Sequence, residues 1–113
     1  MEHFHEVTQE LLEPYKQVRA LIPDVVDSYA ALHKAAMGDG PGLSAKMKEL
    51  IGLAIAITRE CDGCVSSHAR GAARKGASVE EVADMIGVAI LMNGGPGTVW
   101  GPRALAAFNE FSQ

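Results

Sequence analysis

Residues 50–57, which read LIGLAIAI, constrain the fold more than any other stretch because every position is apolar or glycine. A helix that is apolar on every side belongs in the middle of a protein core. The run is far too short to cross a lipid bilayer as a helix. The stretch therefore predicts a central, buried helix in a globular domain.

Helix start and stop signals predict further helices on both sides of this one. Ser44 is a predicted N-cap, Ser78 to Glu81 form a predicted capping box, and Gly76 follows a helix end. Pro14 predicts a break or a bend in the first helix. The predicted helices cover about residues 4–20, 23–37, 44–59, 61–76, 78–92 and, after a loop at 93–97, a segment ending near 111.

The composition supports a helical fold. The chain has 113 residues, enough for one domain with a modest core. Hydrophobic residues make up 48% but aromatic ones only 5%, which favours closely packed helices over a sheet. We predict an all-α, single-domain bundle of about six helices over residues 1–113, with residues 1–22 as an N-terminal helical arm. Core positions are expected for the methionines of the apolar helix patterns, Met47, Met85 and Met92.

The net charge of the chain and the sequence of residues 1–6 limit the kinds of partner that we expect. The formal net charge is −4 and no basic run is present, which argues against a nucleic-acid partner. Residues 1–6 lack the basic segment and apolar stretch of a signal peptide. We expect a cytoplasmic protein with no membrane partner. In a reducing compartment, a close cysteine pair is more often redox-active or metal-binding than a structural staple.

Both cysteines lie in the segment 60–68, ECDGCVSSH. On a helix that opens at Cys61, the side chains of Cys61, Cys64 and His68 fall within an arc of roughly 60°. A helix N-terminus stabilises negative charge, and a histidine one turn after Cys64 can take a proton from it. The stripe that these three side chains form on the helix therefore predicts chemistry that uses a thiolate.

Glu49 is the predicted fourth member of this group. If the helices before and after residue 60 form an antiparallel hairpin, Glu49 and His68 lie within roughly 5 Å of the same height. Small residues on both helices would let them approach closely and would partly bury Glu49. These residues are Gly52, Ala56, Ala69, Gly71, Ala72 and Ala73. We hypothesise one proton-transfer constellation of Glu49, His68 and the two thiols.

Other interpretations stay open for the same residues. Cys61, Cys64 and His68 could be zinc ligands with Glu49 or Asp62 as a fourth, although three ligands from so short a helical segment are awkward for a closed site. The two cysteines could be inert core residues, and Glu49 could be a solvated residue in the first turns of its helix.

The other three histidines and the single tryptophan have separate interpretations. His33 is either a partly buried, hydrogen-bonded histidine or a residue near the mouth of the site. Trp100 is interpreted as a core or interface anchor. His3 and His5 lie in an exposed start and are expected to have no catalytic role.

Glu49, an eleven-residue gap and the pattern Cys61-x-x-Cys64-x-x-x-His68 resemble the signature of the AhpD-like alkylhydroperoxidases of the carboxymuconolactone decarboxylase family. The similarity extends from about residue 25 to 110 and includes the run 71–77 and the loop beginning at Asn93. It implies an AhpD-like helical subunit that assembles as a homotrimer or homohexamer. Some peroxidase members carry a histidine between the cysteines, where this chain has Gly63.

The resemblance implies an oxidoreductase that acts on a hydroperoxide, or a disulfide reductase, with no cofactor and no metal. Catalytic residues would be Cys64, Cys61, His68 and Glu49. Cys64 attacks the peroxide, Cys61 resolves the sulfenic acid as a disulfide, an external dithiol reduces it, and Glu49 and His68 move protons. Helix position instead favours Cys61, expected to be the more exposed thiol, for exchange with the reductant. Two alternatives are a decarboxylase using Glu49 and His68, and a zinc- or partner-binding module without turnover.

Overall fold

The computed structural model describes residues 2–113, and this part of the chain forms six helices and no strand. The helices are α1 (His3–Leu21), α2 (Pro23–Met37), α3 (Ala45–Arg59), α4 (Asp62–Arg74), α5 (Val79–Asn93) and α6 (Gly95–Phe111). The predicted all-α class is confirmed. Within residues 2–113, no helix combines the length and the apolar character needed to cross a membrane.

The predicted capping signals act where the sequence placed them. The Ser44 side chain accepts a hydrogen bond from the backbone N–H of Met47 at the start of α3. Ser78 and Glu81 form a reciprocal capping box at the start of α5. Gly76, with a φ of 82°, follows the end of α4 in a conformation that glycine adopts without steric cost.

In two places, proline and glycine interrupt the helices less than predicted. The loop predicted at 93–97 is reduced to Gly94, because Pro96 lies in the first turn of α6, where a missing N–H costs no hydrogen bond. Helix α1 also continues through Pro14. Glu10, whose carbonyl group loses its helical partner at Pro14, is exposed, so this carbonyl can bond to water instead.

The core lies where α3 packs against α4, α5 and α6. Its largest fully buried side chains include Leu53, Ile57, Val65 and Val82. The predicted burial of α3 on every side is wrong for the single chain, because the outer face of α3 is left uncovered and Ile55 is 55% exposed.

The expected burial of the methionines is likewise only partly met. Met85 packs against the core, but Met47 is exposed and Met92 is 77% exposed. Helical periodicity predicts that these side chains lie on apolar helix faces. Whether a face is covered depends on whether another helix of the chain packs against it.

The first two helices are anchored at one end only. Phe4 and Val7 at the start of α1 are buried, whereas the later apolar residues of α1 are exposed. Val26 is the buried residue of α2. The second half of α1 and most of α2 thus form a hairpin whose apolar side chains stay open to solvent.

Candidate functional site

The cysteine pair lies in the sharp turn between α3 and α4. Glu60 closes α3 in a left-handed conformation with a φ of 53°. Cys61 is the N-cap of α4, and its Sγ accepts a hydrogen bond from the backbone N–H of Cys64 at 3.2 Å. The two residues, 5.2 Å apart at Cα, are joined by a disulfide bond.

The two sulfur-bearing residues differ in exposure. Cys64 is exposed and Cys61 is half-buried. The expectation that Cys61 is the more exposed cysteine is therefore wrong. Cys61 lies in the turn, tucked against the end of α4, whereas Cys64 sits in the first helical turn on a side open to solvent.

Glu49 of α3 and His68 of α4 form the predicted contact. Glu49 Oε1 lies 2.8 Å from His68 Nδ1, and the two side chains are 12% and 21% exposed. The interpretation of Glu49 as a solvated residue is wrong. Carboxylate pairing with one ring nitrogen fixes the orientation of the imidazole and leaves the other nitrogen available for a second partner.

Two glycines make room for this pair. A Cβ on Gly71 would overlap the Glu49 carboxylate, and a Cβ on Gly52 would lie 2.6 Å from His68 Nδ1. Each glycine stands on the helix opposite the side chain it accommodates. The small residues that the sequence offered on α3 and α4 are thus used to bury a polar pair, in addition to bringing the helices together.

His33 of α2 lies beside the Glu49–His68 pair. This position agrees with the interpretation of His33 as a residue near the mouth of the site. Its ring centroid is 6.5 Å from that of His68, with the rings inclined by 24°. His33 is exposed. It therefore stands at the open side of the site instead of being enclosed in the core.

A cavity of about 490 Å³ opens next to these residues, between α1, α2, α3 and α4. It is lined by Val7, Thr8, Leu11, His33, Glu49, Gly63, Ser66, Ser67, Arg70, Gly71, Arg74 and Lys75. Gly63 and Ser67 flank Cys64 on α4, so the cavity borders the face that carries the disulfide. The Glu49 carboxylate thus lies between the cavity and His68.

Sequence reasoning missed the basic side of this cavity. Gly63, Ser67, Arg70 and Arg74 are spaced as one stripe of a helix, adjacent to the stripe of Cys61, Cys64 and His68. This signal was present in the sequence. It becomes informative only when α1 and α2 close the opposite wall.

His3 and His5, expected to have no catalytic role, tie the start of α1 to the body of the protein. His3 Nε2 is 3.3 Å from Asp62 Oδ2, and His5 Nδ1 is 2.8 Å from Glu110 Oε1. The backbone N–H groups of Phe4 and His5 also donate to Glu110. Burial opposes ionisation of Glu110, but hydrogen bonds from the His5 side chain and the two N–H groups outweigh it, so its pKa lies below its usual value.

The metal interpretation needs a cluster of ligand side chains. Across residues 2–113, no group of three or more His, Cys, Asp or Glu side chains is placed to share one metal ion. The residues of the zinc alternative are instead arranged as a disulfide and a Glu–His pair.

Comparison with known proteins places this arrangement in a family. The profile of the Carboxymuconolactone decarboxylase family matches residues 23–110. The chain is 39% identical over 90 residues to an uncharacterized protein from Cupriavidus necator. The aligned residues cover 80% of this chain and 79% of that protein. It is 36% identical over 84 residues to uncharacterized protein 4 in the cox locus of Paracoccus denitrificans, covering 74% and 75%.

A solved structure shows the same fold. The apo structure of a carboxymuconolactone decarboxylase family protein from Legionella pneumophila superimposes with a TM-score of 0.95 at 33% identity, and 100% of each chain is covered. The family profile spans most of the sequence and the fold agrees over its whole length. The resemblance noted from the cysteine motif is thereby confirmed, and the chain belongs to the carboxymuconolactone decarboxylase family.

Proposed function

We propose that the protein is a thiol-dependent hydroperoxide reductase in which Cys61 and Cys64 are the redox pair. One observation carries the proposal: a disulfide at the N-terminus of α4 shares that helix with a histidine held by a half-buried carboxylate. This combination puts a redox-active sulfur pair and a proton carrier within about two helical turns.

In the oxidative half of the reaction, the Cys64 thiolate attacks the terminal oxygen of the hydroperoxide and the O–O bond breaks. Cys64 becomes a sulfenic acid and the alkoxide leaves as an alcohol after taking up a proton. The sulfur loses two electrons and the peroxide gains two. Cys61 then attacks the sulfenic sulfur, the disulfide forms, and hydroxide leaves as water after protonation.

In the reductive half, an external dithiol returns the pair to the thiol state. Its thiolate attacks the exposed Cys64 sulfur, and Cys61 leaves as a thiolate. A second attack within the dithiol releases Cys64 and oxidises the reductant. The Cys64 N–H already donates to Cys61 Sγ at 3.2 Å, so the leaving thiolate forms where a donor and the helix dipole stabilise it.

Glu49 and His68 serve proton transfer in this scheme. His68 takes the proton from the attacking thiol and returns one to the leaving alkoxide or hydroxide. The Glu49 carboxylate, 2.8 Å from His68 Nδ1, holds the orientation of the ring during these transfers. The partly exposed His68 side chain leaves room for a water molecule in the relay.

Mass spectrometry after a small excess of hydroperoxide tests the redox pair. Reduced wild-type protein should lose two hydrogens, mapped to a Cys61–Cys64 crosslink, and should consume peroxide repeatedly when a dithiol is supplied. Cys64→Ser should do neither. Sulfinic acid on Cys61 alone would reverse the two roles, and stoichiometric zinc without titratable thiols would overturn the proposal.

The exposure of Cys64 supports a second candidate, a disulfide reductase that does not use peroxide. The same purified protein can be given a small disulfide in place of a hydroperoxide, with the same dithiol. Faster turnover on the disulfide than on any hydroperoxide would assign this second activity.

We further propose a homotrimer or homohexamer as the working assembly. Support comes from large apolar side chains left open on the subunit, among them Leu21, Tyr29, Leu32, Ile55, Val88, Leu91 and Met92. Light scattering coupled to gel filtration measures the mass directly. A monomer at micromolar concentration would contradict the proposal.

A further inference from the structure

Three basic side chains line one side of the cavity. They are Arg70, Arg74 and Lys75, all from the second half of α4 or its cap. No Asp or Glu side chain within residues 2–113 lies within ion-pair distance of any of the three. The chain as a whole carries a net charge of −4, so a local group of three cations facing one cavity does not follow from composition.

The nearby negative groups do not neutralise these cations. Glu49 is the carboxylate that lines the cavity, and it is already paired with His68. Glu110 lies beside Arg70 and Arg74 in a neighbouring cavity, but it is held by His5 and two backbone N–H groups. The C-terminal end of α4 contributes roughly half a negative charge, which three full positive charges exceed.

Beside the hydroxyl of Thr8, which bonds to Ser66, aliphatic side chains line the α1 side of the cavity. Val7 and Leu11 of α1 face it, and Leu11 also reaches the neighbourhood of Gly63, where an added Cβ would lie 3.3 Å from Leu11 Cδ1. Cations on one side and an aliphatic wall on the other suit a ligand with an apolar body and an anionic head. The volume of about 490 Å³ is within the usual range for small-molecule sites.

The arginines lie farther along α4 than the disulfide, so the arginines and the disulfide lie towards different ends of the cavity. Arg70 and Arg74 follow Cys64 by six and ten residues, which places them roughly 9 and 15 Å farther along the helix axis. Gly63 and Ser67 form the end of the cavity beside Cys64. A ligand whose anionic head meets the arginines therefore extends its body towards the cysteine pair.

We propose that this cavity binds an amphiphilic carboxylate, with Arg70, Arg74 and Lys75 holding the carboxylate and the α1 wall holding the hydrocarbon body. The assignment of such a ligand as substrate rests on the proposed function: the peroxide would be a hydroperoxide of an organic acid, reduced to the corresponding hydroxy acid. The binding site itself is independent of turnover.

Binding of octanoate to the oxidised, disulfide-bonded protein tests the site without any reaction. Titration calorimetry should detect saturable binding that weakens with added salt, and octanol should bind less tightly. Arg74→Gln should weaken octanoate binding roughly tenfold, the loss expected for one charge-assisted contact. Arg74 is exposed, so the variant is expected to fold, and a thermal unfolding curve checks this.

Arg59→Gln is the matched control, because it removes the same charge from an exposed arginine at the end of α3 outside the cavity. It should leave octanoate binding unchanged. Equal binding by Arg74→Gln and the wild type, or no binding at all, would overturn the site. Inorganic phosphate that competes as well as octanoate would overturn the amphiphilic ligand class.

The two proposals fail in different ways. If the wild-type protein reduces hydrogen peroxide with a dithiol but does not bind octanoate, the proposed function stands and the proposed binding site is contradicted. If the protein binds octanoate but consumes no hydroperoxide, the binding site stands and the proposed function is contradicted.

Discussion

Two Glu–His pairs of the same geometry occur in this molecule, and they differ in what surrounds them. Glu49 and His68 meet at 2.8 Å between α3 and α4, and Glu110 and His5 meet at the same distance between α6 and α1. In both pairs the carboxylate is mostly buried, at 12% and 10% exposure.

The difference lies in the remaining contacts. Glu110 accepts two backbone N–H groups in addition to the histidine, so both of its oxygens are used to hold the start of α1. Glu49 has His68 as its one hydrogen-bond partner in the described part of the chain, and His68 lies on the helix whose N-terminus carries the disulfide.

A Glu–His contact is therefore not sufficient to identify a proton relay. The fully satisfied pair contributes to stability, because losing either partner leaves buried polar groups without bonds. The Glu49–His68 pair shares α4 with the disulfide, so it is the pair that we expect to transfer protons. This contrast gives four expectations, starting with the largest effect.

Glu49→Gln should lower dithiol-dependent hydroperoxide turnover about 100-fold, since a general acid–base group typically contributes this much or more. It should also change the pH dependence of the rate. Stopped-flow peroxide consumption measures both. Glu110→Gln is the matched control and should keep wild-type turnover; equal losses in the two variants would remove the distinction between the pairs.

Gly71→Ala should lower the same turnover by about tenfold, because the new methyl group overlaps the Glu49 carboxylate and displaces it from His68. The displaced atoms are the flexible end of a side chain, so helix content by circular dichroism should be retained. Turnover equal to that of the wild type would show that the exact position of Glu49 is unimportant.

Glu110→Gln should lower the free energy of unfolding by about 1–2 kcal/mol at neutral pH, through weaker bonds to His5 and the backbone of α1. The pKa of Glu110 is lower in the folded protein than its ordinary value of 4.5, so this stabilisation is present above that value. It is lost as pH falls through the lower, folded pKa. Urea unfolding at several pH values should show the difference from wild type shrinking in acid; a difference that grows in acid would contradict the assignment.

Gly87→Ala should have the smallest effect, a stabilisation of about 0.5–1 kcal/mol. Gly87 lies inside α5, and an added Cβ there meets no atom within 4 Å. This variant is the control for steric overlap in Gly71→Ala. The same substitution in an open position should favour the helix and leave turnover unchanged. Destabilisation, measured by urea unfolding, would instead place Gly87 in the contact between chains that we propose for the oligomer.

The parts of the fold that local sequence encodes were predictable. Ser44, Ser78 and Gly76 act within a few residues of themselves, so their roles could be read from the chain. The Glu49–His68 contact was also predictable, because a tight hairpin converts sequence spacing into height along two helices.

The remaining features depend on contacts that local patterns do not contain. His5 and Glu110 are 105 residues apart, and nothing near either residue indicates the other. Ile55 and Met92 belong to apolar helix faces, but within residues 2–113 no helix covers them. The basic wall of the cavity required knowledge of where α1 and α2 lie.

The hydrogen bond from the Cys64 amide to Cys61 Sγ makes one sulfur atom both a helix cap and a redox centre. Any change in the bonding of that sulfur alters the hydrogen bond that the Cys64 amide donates to it, since a thiolate accepts more strongly than a neutral disulfide sulfur. The amide proton of Cys64 is thus a built-in reporter. Its NMR chemical shift and exchange rate should follow the oxidation state of the pair without an attached probe.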